Sequence, residues 1–290
     1  MGNVDVFPQP DLLIGAEAAV GEGPVIDRRT GRLCWVDILE GRLYENDLEA
    51  GSQHVAMLGT IVGAAAPRER QDGFAVAVAD GFAYWSGGRL TVADPILPEP
   101  DRRMNDAKCD SRGRLWAGST HMEFAPGAGA LHRWDGSAPS VTVATGFTLP
   151  NGLGWNEQDT IMYLIDSMTS TVLAAPYDAD DGQIGQFAPL CRVDGGLPDG
   201  LAVDVDGSIW IAMWGGSAIH RYDSSGHLTG TVFMPVTQPS SCAFGDDGTL
   251  YITSARTGLT AEELHNQPHA GSVFALATTT SGVPIHAFAA

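Results

Sequence analysis

The sequence predicts an all-β protein, a six-bladed β-propeller with four-stranded blades around a central channel. A short apolar strand, a tight polar turn and a second apolar strand recur six times along the chain. The second strands are rich in β-branched and aromatic residues, and none has helical periodicity. A repeat period in the forties is typical of propeller blades. The residues that open the six turns follow one another at intervals of 41 to 48 residues: Asp27, Arg68, Asp110, Asn156, Asp204 and Asp246.

Each repeat continues with two further candidate strands, so we assign residues 1–290 to a single propeller domain. In the sixth repeat we expect the third strand at GSVFALA (271–277) and the fourth at PIHAFAA (284–290). The segment 12–14 is a candidate to pair with the last blade, because a strand exchange of this kind leaves no open edge in the ring, but the sequence does not fix which blade takes this strand. A helix-like insert at 259–264 is expected over an outer edge.

Composition narrows the range of partners. The formal charge at pH 7 is −19, and Lys108 is the only lysine. An acidic surface repels nucleic acid and anionic membranes, so we expect neither as a partner, although acidity that serves solubility alone is an equally good interpretation. The four cysteines are far apart and are expected to be reduced and mostly buried. Without an apolar leader or a run of about 18 apolar residues, we expect a soluble cytoplasmic protein.

Polar residues occupy one repeated position at the start of the first strand of each blade, five residues before the turn. In a propeller these strands line the channel, so their equivalent positions converge on the axis at one mouth. Two carboxylates and two amides in such a ring suit a hard divalent cation. The six positions are Glu22, Gly63, Asn105, Asn151, Asp199 and Ser241.

Positive charge precedes this ring at one place, Arg102 and Arg103, just before blade three. An arginine at the channel mouth binds hydroxyl or carboxylate oxygens, although a surface ion pair with a neighbouring aspartate explains either arginine equally well. The loop 119–129 is the longest excursion inside a blade and is a candidate substrate lid.

Two acidic segments, 178–182 and 204–207, resemble the start of a calcium-binding loop. Neither has the glutamate twelve positions along that an EF-hand needs, so both are expected to be blade turns. The sequence also has no G-x-S-x-G, H-E-x-x-H or glycine-rich phosphate-binding motif, which excludes the common serine hydrolases, zincins and nucleotide-binding proteins.

Ordered motifs over nearly the whole chain resemble the family of gluconolactonases, regucalcin (senescence marker protein) and luciferin-regenerating enzyme. The motifs that carry the resemblance include GEGPV (21–25), RMND (103–106), NGLGW (151–155), PDGLAVDVDGSIWIA (198–212) and YITSARTGL (251–259). It implies one divalent metal held by Glu22, Asn151 and Asp199. It also implies substrate binding by Arg103, Asn105 and Glu123.

The segment that contains Trp214 and the loop that contains His121 are more similar to the bacterial sugar lactonases of this family than to animal regucalcin. We expect both side chains to lie around the metal ligands without contacting the metal directly. The metal is expected to be Ca²⁺, Mn²⁺, Zn²⁺, Mg²⁺ or Fe²⁺.

The expected reaction is hydrolysis of a sugar (aldono-) lactone to its sugar acid, with a small-molecule lactone as the partner. The cation would polarise the carbonyl or carry water, and Asp199 is our candidate base. Three other functions share parts of this pattern: a calcium-binding regulatory propeller without turnover, an organophosphate-type esterase at the same metal site, and an interaction scaffold. The polar ring and the absence of WD-type repeats argue against the scaffold.

Overall fold

The computed structural model describes residues 4–290 and confirms the six-bladed β-propeller. The innermost strand of each blade contacts the innermost strand of the next, and the sixth contacts the first, so the ring is closed. Blades stack face to face, and their middle strands are therefore buried on both faces. This is why those strands read as continuous apolar runs, whereas the outermost strands are largely exposed.

Two short strands, β1 (Asp5–Val6) and β2 (Asp11–Ile14), precede the first blade. Blade one comprises β3 (Gly21–Asp27), β4 (Arg32–Asp37), β5 (Arg42–Asp47) and β6 (Ser52–Met57). Blade two comprises β7 (Val62–Pro67), β8 (Phe74–Val78), β9 (Gly81–Ser86) and β10 (Arg89–Pro95). Blade three comprises β11 (Arg102–Cys109), β12 (Leu115–His121), β13 (Gly129–Trp134) and β14 (Val141–Phe147).

Blade four comprises β15 (Pro150–Trp155), β16 (Ile161–Asp166) and β17 (Thr171–Asp178), whose outer edge pairs with both β18 (Gln183–Ile184) and β19 (Ala188–Arg192). Blade five comprises β20 (Leu197–Val203), β21 (Ile209–Trp214), β22 (Ala218–Tyr222) and β23 (Leu228–Phe233). Blade six has β24 (Pro239–Phe244), β25 (Thr249–Ser254) and β26 (Val273–Ala277). The helix α1 (Ala261–Asn266) lies between β25 and β26, and a 3₁₀ turn (Ser167–Thr169) follows β16.

The N-terminal segment completes the ring. Strand β2 pairs antiparallel with β26 and is the fourth strand of blade six, which confirms the candidate pairing of residues 12–14. Strand β1 adds to the edge of blade five in parallel with β23. The prediction of a fourth strand at 284–290 is wrong, because the edge of β26 is already occupied by β2.

Residues 281–290 instead cross the channel at the mouth opposite the polar ring. The N–H of Val283 donates to the carbonyl of Val203 in blade five at 2.9 Å, and the N–H of Phe288 donates to the carbonyl of Pro67 in blade two at 2.8 Å. These blades lie on opposite sides of the ring. The Phe288 ring is fully buried and stacks on Trp134 at a centroid distance of 4.9 Å. The C-terminal segment thus acts as a strap that closes this mouth.

A buried aspartate in a blade turn explains one of the two acidic segments that resemble calcium loops, 204–207, whereas the aspartates of 178–182 are exposed at the turn between β17 and β18. Asp204 accepts a hydrogen bond from the backbone of Ser208 at 2.7 Å, and from the indole N–H of Trp210 at 2.9 Å. Arg221 forms a salt bridge with the same carboxylate. Asp110 and Trp116 repeat this arrangement in blade three. These carboxylates are therefore occupied by protein donors, which for Asp110 include the hydroxyl of Tyr177 from blade four at 2.8 Å.

No helix in residues 4–290 is long and apolar enough to cross a membrane.

Removal of the Phe288 side chain tests the strap. Phe288→Ala should lower the free energy of unfolding by about 3–5 kcal/mol, the usual cost of emptying a buried phenylalanine site. Urea denaturation measures this change. Phe233→Ala is the matched control, since Phe233 is 57% exposed and its removal should change stability by less than about 0.5 kcal/mol. Equal effects of the two substitutions would contradict the role assigned to the strap.

A buried histidine makes the stability depend on pH. Burial, followed by the charge of Arg102, lowers the pKa of His132 to about 4. Its ring contacts the hydroxyls of Ser119 at 2.9 Å and Thr142 at 3.0 Å. The unfolded chain takes up this proton near the ordinary pKa of about 6.5, so stability falls as the pH falls from 6.5 to 4.

The wild type should lose about 3 kcal/mol across this window through His132 alone, because one pKa unit corresponds to about 1.4 kcal/mol. The amide of His132→Gln can bond to the same hydroxyls and does not titrate. Denaturation of both proteins at pH 4 and pH 7 isolates the contribution of the histidine. A difference between them that does not change with pH would refute the assignment.

Candidate metal and substrate site

Each innermost strand has a β-bulge at the position predicted for the ring. The register of pairing shifts within Glu22–Val25, Val62–Ala64, Met104–Ala107, Pro150–Leu153, Pro198–Leu201 and Pro239–Ser241. A bulge leaves residues out of the regular ladder and re-aims their side chains. Six bulges at one level of the propeller thus direct the ring side chains toward the axis.

Only glycine fits at one ring position, Gly63, and at Gly200, the residue that follows the ring position Asp199. A Cβ at Gly63 would lie 2.2 Å from the carbonyl oxygen of Asn105, and a Cβ at Gly200 would lie 2.1 Å from the Ser241 hydroxyl. Such distances are far below van der Waals contact. Gly63 therefore contributes no side chain because the backbone of blade three occupies its space.

The three predicted metal ligands come together at the floor of the mouth. Asn151 Nδ2 donates to Asp199 Oδ1, and it also donates to the Ser167 hydroxyl at 3.2 Å. Glu22 Oε2 accepts from the backbone N–H of Gly23 at 2.8 Å. Glu22, Asn151 and Asp199 are 2–7% exposed. The amide is thus fixed between the blade-four turn and the acid of blade five.

The two carboxylates are buried close to each other, and the charge of Arg103 opposes only part of the resulting shift in the pKa of Asp199. Burial, and then the charges of Asp199 and Asp106, raise the pKa of Glu22 well above its usual value. Burial and then the charge of Asp106 raise the pKa of Asp199 likewise, while the amide of Asn151 opposes the shift. Within residues 4–290, no salt bridge involves Glu22 or Asp199. Buried ionised carboxylates without a cation are costly, so this donor set fits a divalent metal.

No group of three His, Cys, Asp or Glu side chains that could hold a metal occurs in the described part of the chain. The candidate set differs from such a group because its third donor is an amide oxygen. Two carboxylates and one amide oxygen make a hard, oxygen-only site, which is the kind that Ca²⁺, Mg²⁺ and Mn²⁺ prefer.

Arg103 and Asn105 form the side of the site. Arg103 Nη1 donates to Asn105 Oδ1 at 2.6 Å and to the carbonyl of Met104 at 3.1 Å. Asn105 Nδ2 in turn donates to the carbonyl of Pro150 at 3.1 Å. Burial lowers the pKa of Arg103, and the charges of Asp199 and Glu22 oppose this shift. The guanidinium of Arg103 therefore lies near both carboxylates, and Arg103 lines the cavity above them.

The loop after β12 presents an aromatic side chain, and its glutamate points elsewhere. Phe124 lines the cavity, whereas Glu123 is exposed and does not line it. His121 organises the loop: its Nδ1 accepts from the backbone N–H of Glu123 at 3.1 Å, and its Nε2 lies 3.2 Å from Asp101. Arg102 donates to the carbonyl of Ala128 and anchors the end of the loop.

A cavity of about 300 Å³ opens above the ring. Trp214 lines it, as do Glu22, Arg103, Asn105, Asn151 and Asp199. Of the predicted residues, only His121 and Glu123 are not part of its wall. The sequence reasoning missed Ser167, which orients Asn151, and Phe124. Ser167 is the last residue of the segment YLIDS (163–167), but nothing in its sequence context marks it as a partner of the ring.

Residues 20–256 match the family described as SMP-30/gluconolactonase/LRE-like region. This chain belongs to that family. The match spans the first strands of all six blades, and it confirms the resemblance seen in the motifs.

Relatives within the SMP-30/gluconolactonase/LRE-like family align along almost the whole chain. The 6-deoxy-6-sulfogluconolactonase of Pseudomonas putida is 33% identical over 286 residues, 96% of this chain and 95% of that protein. The L-arabinolactonase of Azospirillum brasilense is 30% identical over 288 residues, 97% and 96% of the two chains. A regucalcin structure from Agrobacterium tumefaciens, described as a calcium-binding protein, matches with a TM-score of 0.92, 27% identity and 99% coverage of both chains.

Metal addition should stabilise the protein through Glu22 and Asp199. A cation at 100 times its dissociation constant raises the free energy of unfolding by about 2.7 kcal/mol, provided that it binds only the folded state. Thermal denaturation with chelator, and then with added Ca²⁺ or Mn²⁺, measures this effect. Glu22→Gln removes one of two repelling charges. It should therefore be more stable than the wild type in chelator and should gain less from the cation.

Glu49→Gln, at an exposed position, is the control and should behave as the wild type in both conditions. An equal metal response in the wild type and Glu22→Gln would contradict this role of Glu22.

Proposed function

We propose that this protein hydrolyses a lactone to its hydroxy acid, with a divalent cation held by Glu22, Asn151 and Asp199. The convergence of two unpaired buried carboxylates and an amide at the floor of a closed-ended cavity is the observation that carries the proposal. The names of the relatives support the reaction, because they include an L-arabinolactonase and a 6-deoxy-6-sulfogluconolactonase. A sugar lactone is therefore the first substrate class to test.

The bound cation would supply the positive charge that polarises the lactone carbonyl and the attacking water. Asp199 would be ionised with a cation held beside it, because a neighbouring positive charge opposes the effect of burial on its pKa. Asp199 then orients the water and accepts its proton as the oxygen attacks the carbonyl carbon. When the ring C–O bond breaks, the leaving alkoxide takes this proton back, and the product is the open hydroxy acid.

The neighbouring side chains fix the geometry of this step. The amide of Asn151 holds one oxygen of Asp199 and leaves the other free for the water. Arg103, fixed by Asn105, presents guanidinium N–H groups toward the cavity, where they stabilise negative charge on the substrate oxygens. Glu123 could contact a substrate only after rotation of the loop that it shares with Phe124.

A calcium-binding role without turnover is the second candidate. The likeness to a regucalcin described as a calcium-binding protein favours it, and the oxygen-only ligand set suits Ca²⁺. Metal binding without release of acid from any lactone would support this alternative.

Asp199→Asn tests the proposed reaction. The substitution preserves size and the blade but removes the proton acceptor and one charge, so lactone turnover should fall at least a hundredfold, within the range attributed to general bases. Release of acid from pentono- and hexono-lactones, followed with a pH indicator after chelation and readdition of each metal, measures turnover.

Asp194→Asn is the matched control at an exposed position just before the same strand and should retain full activity. Activity of Asp199→Asn above about a tenth of the wild type would exclude Asp199 as the base.

A further inference from the structure

The wall of the cavity above the ring is mostly apolar. Leu39 from blade one, Met168 from blade four and Leu197 from blade five line it, and these side chains are 40–45% exposed. Trp214 and Leu149 continue the same surface. Large exposed apolar side chains are common when they are scattered, but here several blades contribute them to one mouth. This surface is continuous with the charged floor, so whatever binds at the floor also contacts it.

The loop of blade three strengthens this apolar character. Phe124 has a positive φ of 53°, which is uncommon for a bulky side chain and has a conformational cost. Its N–H donates to the carbonyl of His121 at 2.9 Å, and His121 also fixes the N–H of Glu123. The loop thus turns the aromatic ring inward and leaves the acid in solvent. An acid here would accept hydrogen bonds from substrate hydroxyls, but a phenylalanine cannot.

Polar side chains of the cavity wall above the floor are few, and two of them, Asn105 and Ser167, are already engaged. Asn105 accepts from Arg103 and donates to the backbone of blade four. The Ser167 hydroxyl accepts from Asn151. A substrate hydroxyl facing Leu39, Phe124 or Met168 would lose its water partners without replacement, and this costs free energy.

We propose that the substrate of this site is a lactone with an apolar substituent, alkyl or aryl, on its ring. The ester group would lie over Glu22, Asn151 and Asp199, and the substituent would lie against Leu39, Phe124 and Met168. This inference rests on the proposed lactonase function and deepens it. It selects apolar lactones over those that carry hydroxyls around the whole ring.

Lactones with matched carbon skeletons test the proposal directly. γ-Valerolactone and a pentono-1,4-lactone share five carbons and the ester ring and differ in hydroxyls. After division by the hydroxide-catalysed rate of each compound, kcat/KM should be at least tenfold higher for γ-valerolactone. From γ-butyrolactone to γ-octalactone, kcat/KM should rise about fourfold for each methylene that is buried, which corresponds to ~0.8 kcal/mol per CH₂.

Substitutions test whether the preference for alkyl substituents arises at the apolar wall of the cavity. Met168→Ser should lower kcat/KM for γ-octalactone about tenfold more than for γ-butyrolactone, because only the longer chain reaches the rim. Met57→Ser is the matched control, since Met57 is 58% exposed on the outer strand of blade one, and it should leave both values unchanged. Inhibition by 2-alkylcyclopentanones, which have the carbonyl but no ester bond to hydrolyse, should strengthen with chain length in the wild type and less in Met168→Ser.

The outcomes separate this inference from the proposed function. Equal or faster turnover of the hydroxylated lactone, or no gain with alkyl length, would overturn the substrate class and leave lactone hydrolysis intact. Failure of every lactone to turn over with metal bound would overturn both.

Discussion

The site depends on the β-bulge in each innermost strand. A regular strand would alternate its side chains between the two faces of the blade and would direct few of them along the channel. The bulge interrupts this alternation at one level in all six blades, so residues such as Asn151 and Asp199 lie between the paired positions. The glycine that follows each of them permits close contact with the next blade. The same irregularity therefore creates the ring and packs the blades around it.

This arrangement places repelling charges in a rigid frame. Glu22 and Asp199 are held by different blades, and these blades are fixed by buried apolar clusters that they share with their neighbours and by turn aspartates. The frame cannot relax to separate the two acids without disturbing blade packing. The free energy of this repulsion is therefore retained in the folded protein, and the proposed binding of a cation would relieve it. Function and local stability oppose each other here, as is usual at sites that bind ions.

The sequence was sufficient to predict the propeller and the ring because both depend on periodicity. The interval between turn residues such as Asp110 and Asp204 fixed the blades, and the constant offset of five residues located the ring. The C-terminal strap could not be predicted in this way. Residues 284–290 have the apolar character of a strand, and only the competition of β2 for the edge of β26 excludes them from blade six.

The directions in which the side chains of Phe124 and Glu123 point could not be predicted from the sequence either. Adjacent residues in a loop point in directions that depend on local hydrogen bonds, here those of His121, and no periodicity records them. Their placement affects the chemistry of the floor as well as the fit of the substrate. Apolar walls exclude water and lower the local dielectric constant, so the charges of Arg103 and of a cation would act more strongly on a lactone carbonyl. An apolar substituent would complete this exclusion when it fills the mouth, which links substrate preference to the rate of the chemical step.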